Sequence, residues 1–179
     1  MPYKKVLTAI ILVLSGVLLY AALKSPEVHI AREILIDAPP EAIFPYLNNS
    51  KKTTAWMTWT EDDPSVKMTY SGPDEGKGST ANWESKGNMG TGSAEIIESI
   101  PNRSVKTKLT YTKPMEMSQM AELSLKPSAK GTVVVWSLDS RNPFILRLMC
   151  LFGNMEKMVG TAFDKGLARL KNTVLPASH

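Results

Sequence analysis

Residues 132–174 read TVVVWSLDSRNPFILRLMCLFGNMEKMVGTAFDKGLARLKNTV, and within them the spacing of apolar side chains changes once. Thr132, Val134, Trp136 and Leu138 recur at every second position, the mark of a strand with one buried face. After Asn142 the step lengthens to three and four. Phe144, Leu148, Leu151 and Phe152 form a first apolar section, and Met155, Met158, Val159, Ala162, Phe163, Leu167, Leu170 and Val174 a second. Glu156, Lys157, Asp164, Lys165, Arg169 and Lys171 fall on the opposite side. The spacing predicts one amphipathic helix of about 30 residues, or two joined end to end with a bend at Gly153 and Asn154, long enough to cross a whole domain.

Upstream, the two-residue period repeats between short turn-forming clusters, which points to an antiparallel meander and not to alternating strands and helices. Val66, Met68 and Tyr70 alternate with Lys67, Thr69 and Ser71, and Gly72 to Gly76 turn the chain. Ser79, Ala81 and Trp83 alternate with Thr80, Asn82 and Glu84; Gly87, Asn88 and Gly90 make the next turn. Ala94, Ile96 and Ile100 line a longer strand that stops at Pro101 and Asn102. Val105, Thr107, Leu109 and Tyr111 face away from Lys106, Lys108, Thr110 and Thr112, and Met117, Ala121, Leu123 and Leu125 continue one face as far as Pro127. Val28 to Ile36 is the first strand, with Val28, Ile30, Ile34 and Ile36 on one side and His29, Ala31, Glu33 and Leu35 on the other. Asp37 opens a short helix in which Pro39 and Pro40 sit in the first turn, Glu41 complements the dipole, and Ile43, Phe44 and Leu47 give the apolar face. Lys51 to Trp56 form a second short helix. The expectation is an α+β domain: a curved antiparallel sheet of seven strands around a long C-terminal helix, with two short helices after the first strand.

The first two dozen residues differ in kind. Val6 to Leu23 is an uncharged run of 18 residues. As a helix it covers about 27 Å, close to the thickness of a bilayer's hydrocarbon core. Tyr3 and Tyr20 fall at its two interfaces. The run is longer than the apolar region of a cleavable signal, and Ala21, Ala22 and Leu23 leading into Lys24 make a poor cleavage site, so an uncleaved anchor is expected rather than a signal peptide or a buried helix. Lys4 and Lys5 precede it, which places the N-terminus in the cytoplasm and the folded part outside a single-pass cytoplasmic (inner) membrane; Lys24 and Arg32 on the far side weaken that bias without reversing it. The division is therefore residues 1–24 as anchor and 25–179 as one domain, a size that needs neither disulfide nor structural metal.

Composition excludes several classes of function. The net charge of +4 is concentrated partly near the ends, in Lys4, Lys5, Lys165, Arg169 and Lys171, without a basic stripe interleaved with aromatics, so weak attraction to anionic lipid explains it better than nucleic acid. The one cysteine, Cys150, lies in the apolar run Leu146 to Phe152 and reads as a buried, inert thiol. Of the two histidines, His179 is terminal and His29 begins a strand, where a surface or rim role is expected; no metal site of ordinary geometry and no cofactor is implied. Asp62 with Asp63 and Asp74 with Glu75 fall in Pro- and Gly-rich loops and read as solvated turn residues. Gly76-Lys77-Gly78 and Gly87 to Gly92 lack the strand-to-helix context of a phosphate loop and read as hairpin turns.

The order of elements resembles the helix-grip proteins, and the chain is similar to the polyketide cyclase/dehydrase group of the SRPBCC superfamily, which shares its fold with START lipid-transfer domains and birch-pollen-allergen-like proteins. The likeness is carried by Ile34 to Phe44, by Trp56 and Trp59, Tyr70-Ser71-Gly72-Pro73, Gly90-Thr91-Gly92 and Trp136, and by Met158-Val159-Gly160 with Phe163, Lys165, Gly166 and Leu167, and it covers Val28 to Val174. It implies an apolar cavity between sheet and helix that takes a lipid or other hydrophobic small molecule; it does not imply catalysis.

Candidate site residues follow from that cavity. Met68, Tyr70, Trp83, Tyr111, Met117 and Trp136 fall on the more apolar strand faces, and Met158 and Phe163 on the helix stripe, where large or adaptable apolar walls suit an irregular ligand. Gln119, with Thr107, is placed to orient a polar group, and the bland reading of the same residues is that they fill a core. Three functions remain open: a membrane-tethered carrier or sensor of a hydrophobic small molecule or lipid; a cyclase or dehydrase using Tyr70 or Glu84 as an acid–base group; and an interaction module whose cavity is filled by its own side chains.

Overall fold

The computed structural model describes residues 2–59, 63–87, 89–149, 151, 153 and 155–175. A helix α1 (Pro2–Leu23) leads into β1 (Glu27–Ile36), followed by α2 (Pro40–Ile43), a 3-10 turn at Phe44–Tyr46 and α3 (Ser50–Trp56). The meander is β2 (Lys67–Ser71), β3 (Thr80–Glu84), β4 (Thr91–Ile100), β5 (Ser104–Lys113), β6 (Met117–Ser128) and β7 (Gly131–Arg141), and two helices close the chain, α4 (Phe144–Met149) and α5 (Met155–Val174). The strands form one curved antiparallel sheet in the order β1-β7-β6-β5-β4-β3-β2, gripping α5. The two short helices carry the chain from one edge of the sheet to the other, and the hairpins return it until the last strand pairs with the first.

Register fixes which side chains share a face, because successive strand residues point to opposite sides. Arg32, Trp136, Leu123 and Val105 lie in one row across β1, β7, β6 and β5. Ile30, Leu138, Ala121, Thr107 and Ile96 form the next row. Against this face pack Ile43, Phe44, Leu47 and Trp56 from the short helices and Phe163, Leu167 and Leu170 from α5, giving one hydrophobic core.

Three sequence expectations change in the structure. The first short helix does not open at Asp37: its N-cap is Pro39, held extended (φ −71°, ψ 157°) as a residue preceding a proline must be, with Pro40 entering the first turn. The strand read from Ala94 starts at Thr91, so Gly92 belongs to the sheet and not to a hairpin turn. Of the two forms expected for the terminal helix, the structure has two helices; Cys150, Phe152 and Asn154 between them, like Asp62 and His179, lie outside the described residues. Finally, Met158 is not on the buried stripe of α5; it is 68% exposed. Gly160, Phe163, Leu167 and Leu170 face inward, and at 3.6 residues per turn a side chain two positions before Gly160 points the opposite way.

That rotation follows from a charge on the inner face. Alternation in β1 puts Arg32 beside Ile30 and Ile34, beneath α5, where its Nη2 donates to Glu156 at 2.7 Å and its Nε lies 3.5 Å from Asp164. A Cβ on Gly160 would collide with the guanidinium, so this glycine gives the arginine passage between two carboxylates two turns apart.

Candidate functional site

The concave face has two ends of different construction. At the end beneath α5, Trp136 and Phe163 stack with centroids 3.9 Å apart and planes 7° from parallel. Trp56 meets Trp136 edge-on at 5.3 Å, and Trp59 meets Trp136 and Phe163 at 6.4 and 6.3 Å. The indole of Trp56 donates to the Tyr46 carbonyl at 3.1 Å, so its one polar atom is satisfied. Trp136 is 3% exposed and Phe163 1%. Of the residues expected to line a cavity, these two are covered by each other and by their aromatic neighbours.

At the other end the sheet runs on past the helix. Met68, Trp83, Gly92, Tyr111 and Met117 form one row across β2 to β6. Trp83 and Tyr111 meet edge-on at 5.3 Å above Gly92, and a Cβ there would strike both the Trp83 ring and the Thr110 carbonyl. The Trp83 indole donates to the Met89 carbonyl at 3.3 Å, and burial pushes the Tyr111 phenol above its ordinary pKa, which keeps it neutral and available as a hydrogen-bonding group. Between this row and the core lie Leu109, Ala94, Thr107, Ala121 and Leu138, all half-buried. Gln119 belongs to the same strip; its amide donates to Ser140 Oγ at 3.1 Å, and Ser140 donates on to the buried Asn142 at 3.0 Å. The expected residues Met68, Trp83, Tyr111, Met117 and Gln119 are thus brought together on one half-buried apolar surface with one polar chain at its side. Tyr70 lies at the outer edge, 43% exposed, and Met158 lies away from it on the outer side of α5. Glu84 is exposed as well, so neither it nor Tyr70 is enclosed.

The reading of Asp63 as a solvated turn residue is corrected. Its carboxylate is buried, accepts from the Ser65 hydroxyl at 2.6 Å and from the Ser65 amide at 3.1 Å, and accepts from the Ser85 hydroxyl. These bonds, with one from the Met89 amide, hold its pKa below the ordinary carboxylate value. Ser65 is two residues on, but Ser85 and Met89 come from another loop, so the short-range pattern around Asp63 carried no sign of these two. Met89 in turn accepts from Trp83, so Asp63 steadies the loop that carries the open end. Asp74 and Glu75 are exposed as expected, and so is His29, whose Nδ1 lies 2.6 Å from Asp139. Arg32 was also absent from the candidate residues; its signal was its position on the apolar side of an alternating strand.

A third feature adjoins the domain. α1 is long and apolar enough to cross a bilayer, a property that signal sequences share, and its side chains Ile10 to Leu14 are more than half exposed except Ile10, at 50%. At its C-terminal end Arg147 of α4 donates from Nη1 to the Ala22 and Lys24 carbonyls at 3.0 and 2.9 Å.

A curved sheet gripping a C-terminal helix, with an apolar strip on its concave side, defines a helix-grip protein of the SRPBCC superfamily. The chain belongs to the family described as polyketide cyclase / dehydrase and lipid transport, whose model matches residues 27–174. No curated protein sequence matches it. Among solved structures it is similar to the Aha1 dimer from Colwellia psychrerythraea (TM-score 0.59, 21% identity, 85% of this chain and 99% of that one). It is similar too to the di-domain ARO/CYC protein StfQ from the steffimycin biosynthetic pathway (0.61, 12%, 83% and 51%) and to Ara h 8.0201 (0.55, 12%, 83% and 98%). At these identities the likeness concerns the fold. The family description points to a domain for hydrophobic ligands.

Proposed function

We propose that the chain is a membrane-tethered binding protein, a carrier or sensor, for a hydrophobic small molecule or lipid. Residues 1–24 anchor it, residues 25–179 bind, and the folded part lies outside the cytoplasmic membrane, in keeping with Lys4 and Lys5 ahead of the apolar helix. The observation that carries this reading is the difference between the two ends of the concave face: one is packed solid by Trp56, Trp59, Trp136 and Phe163, while the other presents Met68, Leu109, Tyr111 and Met117 half-buried beside Gln119. An apolar strip with a few polar groups at one side is how sites for hydrophobic ligands are built, the apolar area giving affinity and the polar groups orientation. The filled-cavity reading describes the Trp136 end; it does not describe the strip.

The test is native mass spectrometry of the purified full chain, followed by extraction and identification of what co-purifies. A bound hydrophobic species that is diminished in Trp83→Ala, with the domain still folded by circular dichroism, supports the proposal. Empty protein that also fails to take up a fluorescent fatty acid or sterol sinks it.

A further inference from the structure

The segment between the last strand and α5 touches α1 in a way that bears on where the membrane surface lies. Arg147 bonds the carbonyls of Ala22 and Lys24 at the very end of α1, which binds α4 to that end and satisfies acceptors that a helix C-terminus leaves without partners. Leu151 lies further along: it forms one wall of an open apolar groove of about 410 Å³ whose other walls are Val13, Gly16, Val17 and Tyr20. Gly16 is seven residues before Leu23, which at 1.5 Å per residue is roughly 10 Å back along the helix. Arg147 therefore lies at the end of α1, and Leu151 beside it deeper by about two-thirds of the hydrocarbon depth of one leaflet.

The surface of this segment suits that position. Phe144 and Ile145 are 40% and 49% exposed, and the Arg147 guanidinium lies 5.7 Å from the Phe144 ring, so the charge is turned toward the end of α1 and leaves an apolar side outward. The groove walls carry no charged side chain.

We infer that α4 and Leu151 are a second membrane-embedded element beside α1, α4 at the outer-leaflet boundary and Leu151 within the hydrocarbon below it, and that the partner filling the groove is the acyl chains of that leaflet. This rests on the proposal that α1 spans the bilayer. The apolar wall is continuous with α1: if residues 3–23 occupy hydrocarbon, Leu151 beside Val13 and Val17 occupies the same depth. Amphipathic segments held this way bury their apolar side at the headgroup–acyl boundary. The consequence for function is that the helix leading into α5 is itself in contact with lipid, so the domain is fixed against the bilayer by two attachments and does not swing on one.

The experiment uses the full chain reconstituted in phosphatidylcholine vesicles, with Cys150→Ser as background and an environment-sensitive NBD fluorophore on a single introduced cysteine. Three positions are compared: Val13→Cys in α1, Ile145→Cys in α4, and Lys126→Cys in the exposed end of β6. The inference expects labels at 13 and 145 to be blue-shifted, protected from aqueous iodide and quenched by doxyl-labelled lipid, position 145 most strongly by a shallow doxyl group, with position 126 open to iodide. A label at 13 in lipid and a label at 145 quenched by iodide like that at 126 overturns this inference and leaves the span standing. Labels at 13 and 145 both open to iodide overturn the span and this inference together.

Discussion

The two ends of the concave sheet are built from similar residues and behave as different materials. Both carry a tryptophan on an inward strand position, Trp136 in β7 and Trp83 in β3, and both tryptophans are nearly inaccessible to water. Trp136 is covered by a helix: Phe163 on its face, Gly166 above it, Trp56 and Trp59 at its edges. Trp83 is covered by its own sheet, with Gly92 beneath, Tyr111 beside it and the Met89 carbonyl on its nitrogen. The lesson is that burial of an aromatic does not by itself distinguish core from site; what covers it does. A ring closed over by a second layer belongs to the fold, whereas a ring buried within one layer leaves a surface beside it on which another molecule can lie.

This contrast yields predictions of decreasing size. Trp136→Ala removes the centre of the packed cluster and is expected to cost about 3–5 kcal/mol in denaturant unfolding, the range for emptying a large aromatic site. Phe163→Ala should cost a similar amount, and the double variant less than the sum, because the two rings pack on each other. Additive costs would mean that the cluster is not one unit.

Gly160→Ala probes the charge beneath α5. Overpacking against Arg32 is expected to outweigh the better helix propensity of alanine, a net loss of about 1–2 kcal/mol. In an Arg32→Ala background the same change should be neutral or stabilising. Equal losses in both backgrounds would remove the arginine from the explanation of how the helix is rotated.

At the open end Met117→Ala is expected to leave stability within about 1 kcal/mol, since the side chain is only half-buried, while weakening uptake of a hydrophobic ligand several-fold. A large stability loss there would make both ends core.

Smallest is a pH effect at Asp63. Its folded pKa is depressed by the bonds from Ser65 and Ser85, so its contribution is present above the ordinary value of 3.8 and is lost as pH falls through the depressed folded value. Protection of the Ser85, Gly87 and Met89 amides, relative to the intrinsic exchange rate at each pH, should therefore fall over that acid range in the wild type, and Asp63→Asn should remove that fall. A dependence that survives in the asparagine variant would assign it to another group.

Much of this was legible in the chain. The change of period at Asn142 and the alternation at Val105 to Tyr111 identify a sheet and a helix because they report which side of each element is dry, and the fold has few other ways to bring those sides together. The row Met68, Trp83, Tyr111 and Met117 could be collected from single strands, and pairing placed them side by side. What was hidden depends on a second layer. No strand pattern says that α5 reaches Trp136 and stops short of Trp83, and Met158 fits the apolar repeat well; that Gly160 faces Arg32, which leaves Met158 outward, is not written in the repeat. Asp63 was hidden because its partners Ser85 and Met89 are more than twenty residues away, in a loop whose own chemistry is that of a turn.

The central claim, that ligand occupies the open end and not the packed one, can be read from the four tryptophans directly. The chain is labelled with 5-fluorotryptophan, reconstituted in nanodiscs, and titrated with a spin-labelled fatty acid, with the Trp83 signal assigned by Trp83→Phe. The account predicts that the fluorine resonance of Trp83 broadens while those of Trp56 and Trp136 stay sharp. Broadening of Trp136 ahead of Trp83, or of neither at saturating ligand, would contradict it.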